Sequence, residues 1–280
     1  MLRRAWESTS NPIAVLIDHS KFDSSVMKEH IKLEEKCYLS RFEDEDLREL
    51  LSHQYVNNCY SKGGIAYTCV ARKMSGEYNT SLGDSIINYG VLREVFGDDA
   101  IYVINGDDSV VILDKAIFNE SLVKDPSTWA RFGFKSTVDV ARSFEDIEFC
   151  QSRPVEVDGV WRMIRSPWRA IARSTFSVKR YRGIAWRRLL AAMADSEMAC
   201  SDRVPMLQAW ALRLRMASAG ASPLEGEVSY RAKLEGKPTQ GPISDSTRLS
   251  FAAAFGIEVQ RQLAFERWCV EEPVTCLQVE

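Results

Sequence analysis

The chain has 280 residues, 45% of them apolar and 27% charged, a globular balance that excludes general disorder. Its net charge of −3 gives no overall bias toward nucleic acid, so any such affinity has to be local. The 7 cysteines form no CxxC pair and no zinc-spaced Cys/His cluster, and read as reduced, buried thiols; no apolar run approaches the roughly 20 residues of a membrane-spanning helix.

Ile13-Ala14-Val15-Leu16-Ile17 is a continuous β-forming run that stops at Asp18, the pattern of a strand buried on both faces with a carboxylate at its end. Residues 24–48 are charged and helical in pattern, with breaks near 40–43. Gly63-Gly64 marks a turn and 65–70 a strand. Leu82, Ile86, Ile87, Tyr89 and Val91 give 80–96 the apolar face of a helix, closed by a turn at Gly97-Asp98-Asp99. Apolar runs at 101–104 and 110–113 flank Asn105-Gly106-Asp107-Asp108, and Asn-Gly between two β runs is a strong hairpin signal. A helix is expected around 114–124, then short strands at 132–140, 146–150 and 154–164, with Asp158-Gly159 as a turn. Helices are expected at 167–176, 180–197 and 203–217. The Gly-, Ser- and Pro-rich stretch 218–245 reads as a long loop before a last helix over 246–268. The chain thus reads as α+β: a mixed region over 1–165, then a mainly helical one over 166–280.

Asp18 and Asp23 flank the end of the first strand, and Asp107-Asp108 sits at a hairpin tip. Carboxylates at strand ends and hairpin tips converge when their strands are neighbours in one sheet. Such a set of hard oxygen donors suits Mg²⁺ or Mn²⁺, and two such ions can direct an in-line phosphoryl displacement. Singly these are weak signals, since Asp favours turns on its own account.

The ordered set is specific. Asp18-His19-Ser20-Lys21-Phe22-Asp23 resembles polymerase motif A, and Ser75-Gly76-Glu77-Tyr78-Asn79-Thr80-Ser81-Leu82-Gly83 resembles motif B. Gly106-Asp107-Asp108 resembles motif C, and Phe149-Cys150-Gln151-Ser152 the primer-grip motif E. Over about residues 5–217 the set resembles the RNA-dependent RNA polymerases of plus-strand RNA viruses, the tombusvirus-like ones above all. The resemblance implies a right-hand palm over 1–165 with its fingers largely absent, and a helical thumb over 166–280. It implies that Asp18, Asp107 and Asp108 hold two Mg²⁺ (or Mn²⁺) ions. Asp23, Ser75, Gly76, Asn79, Thr80 and Asp84 would then shape the nucleotide site, and Lys135 would stand near the leaving pyrophosphate. Asp84 departs from the family, which usually has Asn there. A carboxylate cannot donate a hydrogen bond as Asn does, so either Asp84 and Asp23 partition a proton or a bridging water, or sugar discrimination differs. The three histidines, His19, His30 and His53, read as surface or helix-face positions.

From Arg153 to Arg188 ten basic residues face only Glu156 and Asp158, a local excess of +8, with Trp161, Trp168 and Trp186 interleaved. Such a stripe offers sequence-independent affinity for an RNA backbone. By resemblance, Cys150, Ser152, Arg153, Arg165, Arg169 and Arg173 would face RNA. The expected partners are template and nascent RNA, nucleoside triphosphates, and a separate fingers-bearing chain or viral replication proteins. About 17 residues precede Asp18, so the chain is expected to be a fragment of a longer polymerase, or one part of a split one, that polymerises poorly alone, working in the host cytoplasm in replication complexes tied to membranes through partners or missing segments. Two other readings are a reverse transcriptase-like polymerase and a degenerate palm that binds RNA without polymerising.

Overall fold

The apolar run ahead of Asp18 forms strand β1, Pro12–His19, in which Ile13, Ala14, Val15 and Ile17 are all at most 3% exposed. Both of its edges are paired because the strand is internal to its sheet. A computed structural model describes residues 1–228 and 240–272 and pairs β1 on both sides. On one side lies β5, Asp108–Asp114, and on the other β6, Ser136–Ala141, both antiparallel to it. Strand β4, Ile101–Asn105, completes a four-stranded sheet of order β4-β5-β1-β6. Ile13, Val15 and Ile17 share a core with Val111, Leu113, Trp129, Phe134 and the helix residues Ile87, Val91 and Leu92. That helix, Thr80–Phe96, follows the expected bounds and is ended by Gly97 at φ +79.

This sheet belongs to a compact unit, Met1–Cys150, and Gln151–Glu280 forms a second; the division falls at residue 150, ahead of the expected 165. The first unit also holds helices Lys28–Leu39 and Glu45–Ser52, separated where a break was expected, the second of them capped by Asp44. A hairpin of β2, Val56–Tyr60, with β3, Ala66–Val70, follows; its first strand was not anticipated, because Val56-Asn57-Asn58-Cys59-Tyr60 carries two asparagines that disfavour strands.

Three expectations in this unit fail for local reasons. The helix expected at 114–124 begins only at Glu120 and gives way to a second at Pro126–Ala130. Asp114, Asn119 and Asp125 each accept a hydrogen bond from a nearby backbone N–H, and these Asx contacts outcompete a continuous helix. No strand forms at 146–150, where Ser143 bonds Asp146 in a 3-10 turn and Cys150 takes φ +50. The strand expected at 132–140 starts at Ser136, after Gly133 turns the chain at φ +81.

The second unit opens with a hairpin of β7, Ser152–Val157, and β8, Val160–Arg165. Its turn residues Asp158 and Gly159 both have positive φ, the I′ pattern that suits strand twist. Val155, Val157 and Ile164 pack on Val204 of a connecting loop and on helical residues Leu207, Phe251 and Ala254. Among the described residues the helices are Pro167–Ser174, Gly183–Ser201, Leu207–Ala217, Asp245–Phe255 and Val259–Glu271. The single helix expected over 246–268 is two, because Gly256 takes φ +65 and ends the first as a left-handed cap. Of the expected 218–245 loop, the described residues carry one short 3-10 turn at Glu225–Glu227; 229–239 lie outside the described residues.

Candidate active site

The sheet brings two of the acids together by register alone. β1 and β5 pair through Ile17↔Ser109, and one step further the same register sets Asp18 opposite Asp108. β4 and β5 close with Asn105↔Asp108, so the turn consists of Gly106 and Asp107. Gly106 has φ +66 and Asp107 does not share it, which is the II′ rather than the I′ pattern. The hairpin read from Asn-Gly is therefore centred one residue later. That shift leaves Asp107 exposed at the tip and makes Asp108 the half-buried first residue of β5.

Burial, followed by the negative charges of Asp107 and Asp18, holds the Asp108 carboxyl above the usual carboxylate range. An all-oxygen set of neighbouring carboxylates fits a hard divalent ion. Among the described residues no three His, Cys, Asp or Glu side chains converge tightly enough to enclose an ion by themselves. Mg²⁺ asks for less, being held by one or two carboxylates with waters and substrate phosphates filling the rest.

The turn opens on a cavity of about 780 Å³ lined by Lys21, Asp23, Ser75, Thr80, Asp84, Asn105, Asp107 and Asp108, among others. Asp23 lies in a short helix, Phe22–Ser25, and its carboxylate accepts from the Ser75 hydroxyl. Asp84, on the 80–96 helix, is 4% exposed, and its Oδ1 has no hydrogen-bond partner among the described residues. Its carboxyl is pushed up to about 7, first by burial and then by the charge of Asp23 within hydrogen-bonding reach. When protonated, Asp84 can donate a hydrogen bond as Asn does.

The other expected nucleotide-site residues divide. Thr80 donates to the carbonyls of Met74 and Glu77, closing the loop in which Gly76 takes φ +92. Asn79 turns away from the cavity and donates to Glu34 at 2.6 Å. Glu34 pairs with Lys73 at 2.8 Å, and both side chains are fully buried. A Cβ on Gly83 would stand 2.2 Å from the Glu34 oxygen and 2.5 Å from the Lys73 nitrogen, so the helix passes this ion pair only at a glycine. Lys135 is exposed; its carbonyl accepts from Ser20 N at 2.8 Å, which keeps it beside the end of β1. The Cys150 thiol lies against Asp108 and takes a hydrogen bond from Asn105 at 3.3 Å.

Two of the three histidines are buried, His19 in a strand, against the expectation, and His30 on a helix face. His19 is 2% exposed, enclosed by Phe22, Trp129 and Phe134, and burial drops its pKa to about 4. His30 is also buried; its Nδ1 accepts from Met27 N at 3.0 Å and its ring stacks on Phe134. Only the apolar neighbours of His19 in sequence hinted at this, since a strand's alternation sends residues 17 and 19 to the same side.

Within the second unit the basic stretch splits in two. Arg153 donates to the carbonyl of Ala254, Arg162 to those of Cys200 and Asp202, and Arg165 to the nearly buried Glu197 at 2.6 Å. Ser152 is itself buried. Arg169, Arg173, Arg180, Arg182, Arg187 and Arg188 are exposed.

The family model for viral RNA-dependent RNA polymerase matches residues 1–275. The chain belongs to that family. It is 32% identical to the RNA-directed RNA polymerase of Melon necrotic spot virus over 94% of this chain and 35% of that protein. It is 31% identical to the polymerase of Tobacco necrosis virus (strain A), over 95% of this chain and 39% of that one, and 27% identical to that of Carnation mottle virus. These relatives place it in the tombusvirus-like group of viral RNA-dependent RNA polymerases, and it spans little more than a third of their length.

Proposed function

We propose that the first unit is the catalytic palm of an RNA-templated RNA polymerase and the second its thumb. The observation that carries this is the register that faces Asp18 with Asp108 beside the exposed Asp107, at the mouth of a cavity lined by Asp23, Ser75 and Asp84. In the reaction the primer 3′-oxygen bonds to the α-phosphorus of the incoming nucleotide while the α–β phosphoanhydride breaks and pyrophosphate leaves. Asp18, Asp107 and Asp108 would hold two Mg²⁺ ions. Such ions supply charge neutralisation on the phosphates and an acidified attacking hydroxyl. Asp23 accepts from the ribose 2′-hydroxyl, the group that separates RNA from DNA precursors, and Ser75 and Asp84 fix its orientation. Lys135 gives a proton to the leaving pyrophosphate. The exposed arginines from 169 to 188 bind the RNA backbone by charge.

Mn²⁺-dependent incorporation of one ribonucleotide onto a primed RNA template tests the reading. Asp107→Ala is expected to abolish incorporation and Mn²⁺ binding and to leave RNA affinity within about twofold. An Asp107→Ala protein that binds Mn²⁺ as wild type does would overturn the assignment.

A further inference from the structure

The Gly106-Asp107 turn is held from behind by the 80–96 helix. Gly106 N donates to the Ser85 hydroxyl at 2.8 Å, and that hydroxyl donates to Ser81 O at 2.7 Å. One turn further along, Asn88 Nδ2 donates to the carbonyls of Gly106 at 3.0 Å and Asp107 at 3.1 Å. Ser85 and Asn88 stand three apart, so one helix face presents both. Those two carbonyls fix the orientation of the Asn88 amide, leaving its Oδ1 to accept from His19 Nε2 at 3.3 Å. His19 Nδ1 is then the acceptor for the Ser136 hydroxyl at 2.6 Å. Asn88 is fully buried and His19 nearly so, and in such surroundings each bond is costly to lose.

We propose that Asn88 and Ser85 are positioning residues for the acids, fixing both peptide groups of the turn and so the direction of the Asp107 carboxylate. The Ser136–His19–Asn88 chain extends this hold to β6 and β1, and thereby to Asp18 beside His19. The helix whose first turns carry Thr80 and Asp84 into the nucleotide cavity is thus the same element that aims the metal-binding acids. This rests on the functional reading above.

The test is Mn²⁺ affinity of the whole chain, measured by electron paramagnetic resonance on the signal of the free Mn²⁺ ion. Asn88→Asp keeps the size and the acceptor for His19 but turns a carboxylate toward two carbonyls. It is expected to weaken Mn²⁺ binding by about 10- to 100-fold, the usual effect of losing a residue that orients a metal ligand. Ser85→Ala, at a part-buried position that tolerates alanine, is expected to weaken it less, by about threefold to tenfold. Ile87→Val, a neighbouring core change, is expected to lose stability and keep its Mn²⁺ affinity. Asn88→Asp and Ser85→Ala proteins that both bind Mn²⁺ within about twofold of wild type, while Asp107→Ala does not, overturn this inference alone. An equal loss of affinity in Ile87→Val overturns it too, by making the effect a general loosening. If Asp107→Ala also binds normally, the site reading itself fails.

Discussion

The two units use charge in opposite ways. In the first, the groups that matter are carboxylates fixed by backbone: a strand register, a two-residue turn and a helix that grips it. Even its buried ion pair, Lys73 with Glu34, is locked by Asn79, Gln54 and the bare Gly83. In the second, the arginines of 153–188 divide between hairpin arginines that hold the unit's own carbonyls and Glu197, and helix and loop arginines that face solvent. Chemistry that displaces a phosphate asks for the first arrangement, where placement counts. Binding a backbone of any sequence asks for the second, where long side chains adapt.

The comparison can be broken most severely at the acids. Asp18→Asn is expected to lower incorporation by at least about 10³-fold, the loss of several kcal/mol of charge stabilisation, and to leave RNA affinity untouched. A matching fall in RNA affinity would mean that the acids and the arginines do not work separately. Next comes the buried pair. Lys73→Met leaves the Glu34 charge unpaired and is expected to destabilise the protein by about 3–5 kcal/mol in urea unfolding. A loss below about 1 kcal/mol would show that the pair is hydrated and the interior less strict than its burial indicates.

The second unit sharpens the contrast. Arg169→Gln with Arg173→Gln is expected to flatten the salt dependence of RNA binding by roughly 0.7–0.9 per arginine in log–log slope. Arg165→Gln, which leaves Glu197 without its cationic partner, is expected to lower stability by about 1–3 kcal/mol instead, with little change in that slope. If all three change the slope alike, the division of the basic stretch is wrong.

The smallest effect concerns Asp84. Its folded pKa of about 7 lies above the ordinary carboxylate value, so its contribution to stability is full in acid and is lost as pH rises through 7. Asp84→Asn is expected to keep catalysis within a few-fold and to be more stable than wild type at pH 8, by roughly 1–3 kcal/mol, with no such gain at pH 4. Melting temperatures at the two pH values, wild type against variant, check it. Equal shifts at both would mean that the Asp84 carboxyl is not raised in the folded protein.

Where sequence carries period and punctuation, the structure was legible from it. The run at 13–17, the helix at 80–96 and the Gly-Asp-Asp hairpin needed only burial and turn chemistry, and the motifs supplied which acids meet. Illegible were contacts made over long separations. Asn88 reads as a polar interruption of an apolar face, and nothing local says that residues 18 positions on will need its amide. His19 looks like a strand-end polar residue until Trp129 and Phe134 close around it. The arginines of 153–165 and those of 169–188 have the same composition signal, and only the fold decides which find partners at home. The hydrogen bond from Asn79 to Glu34 is another such long-range contact.

The sheet order β4-β5-β1-β6 has one more consequence, in the protein's opening motions. Asp18 and Asp108 ride on the two interior strands, whose amides are hydrogen-bonded on both sides, while the edges β4 and β6 fray first. Hydrogen exchange should find the slowest amides of the first unit at Val15, Ile17, Val110 and Val111, next to the acids. The floor of the site then gives way only with the whole unit, and partial opening at the exposed β2–β3 hairpin leaves the placement of the two carboxylates intact.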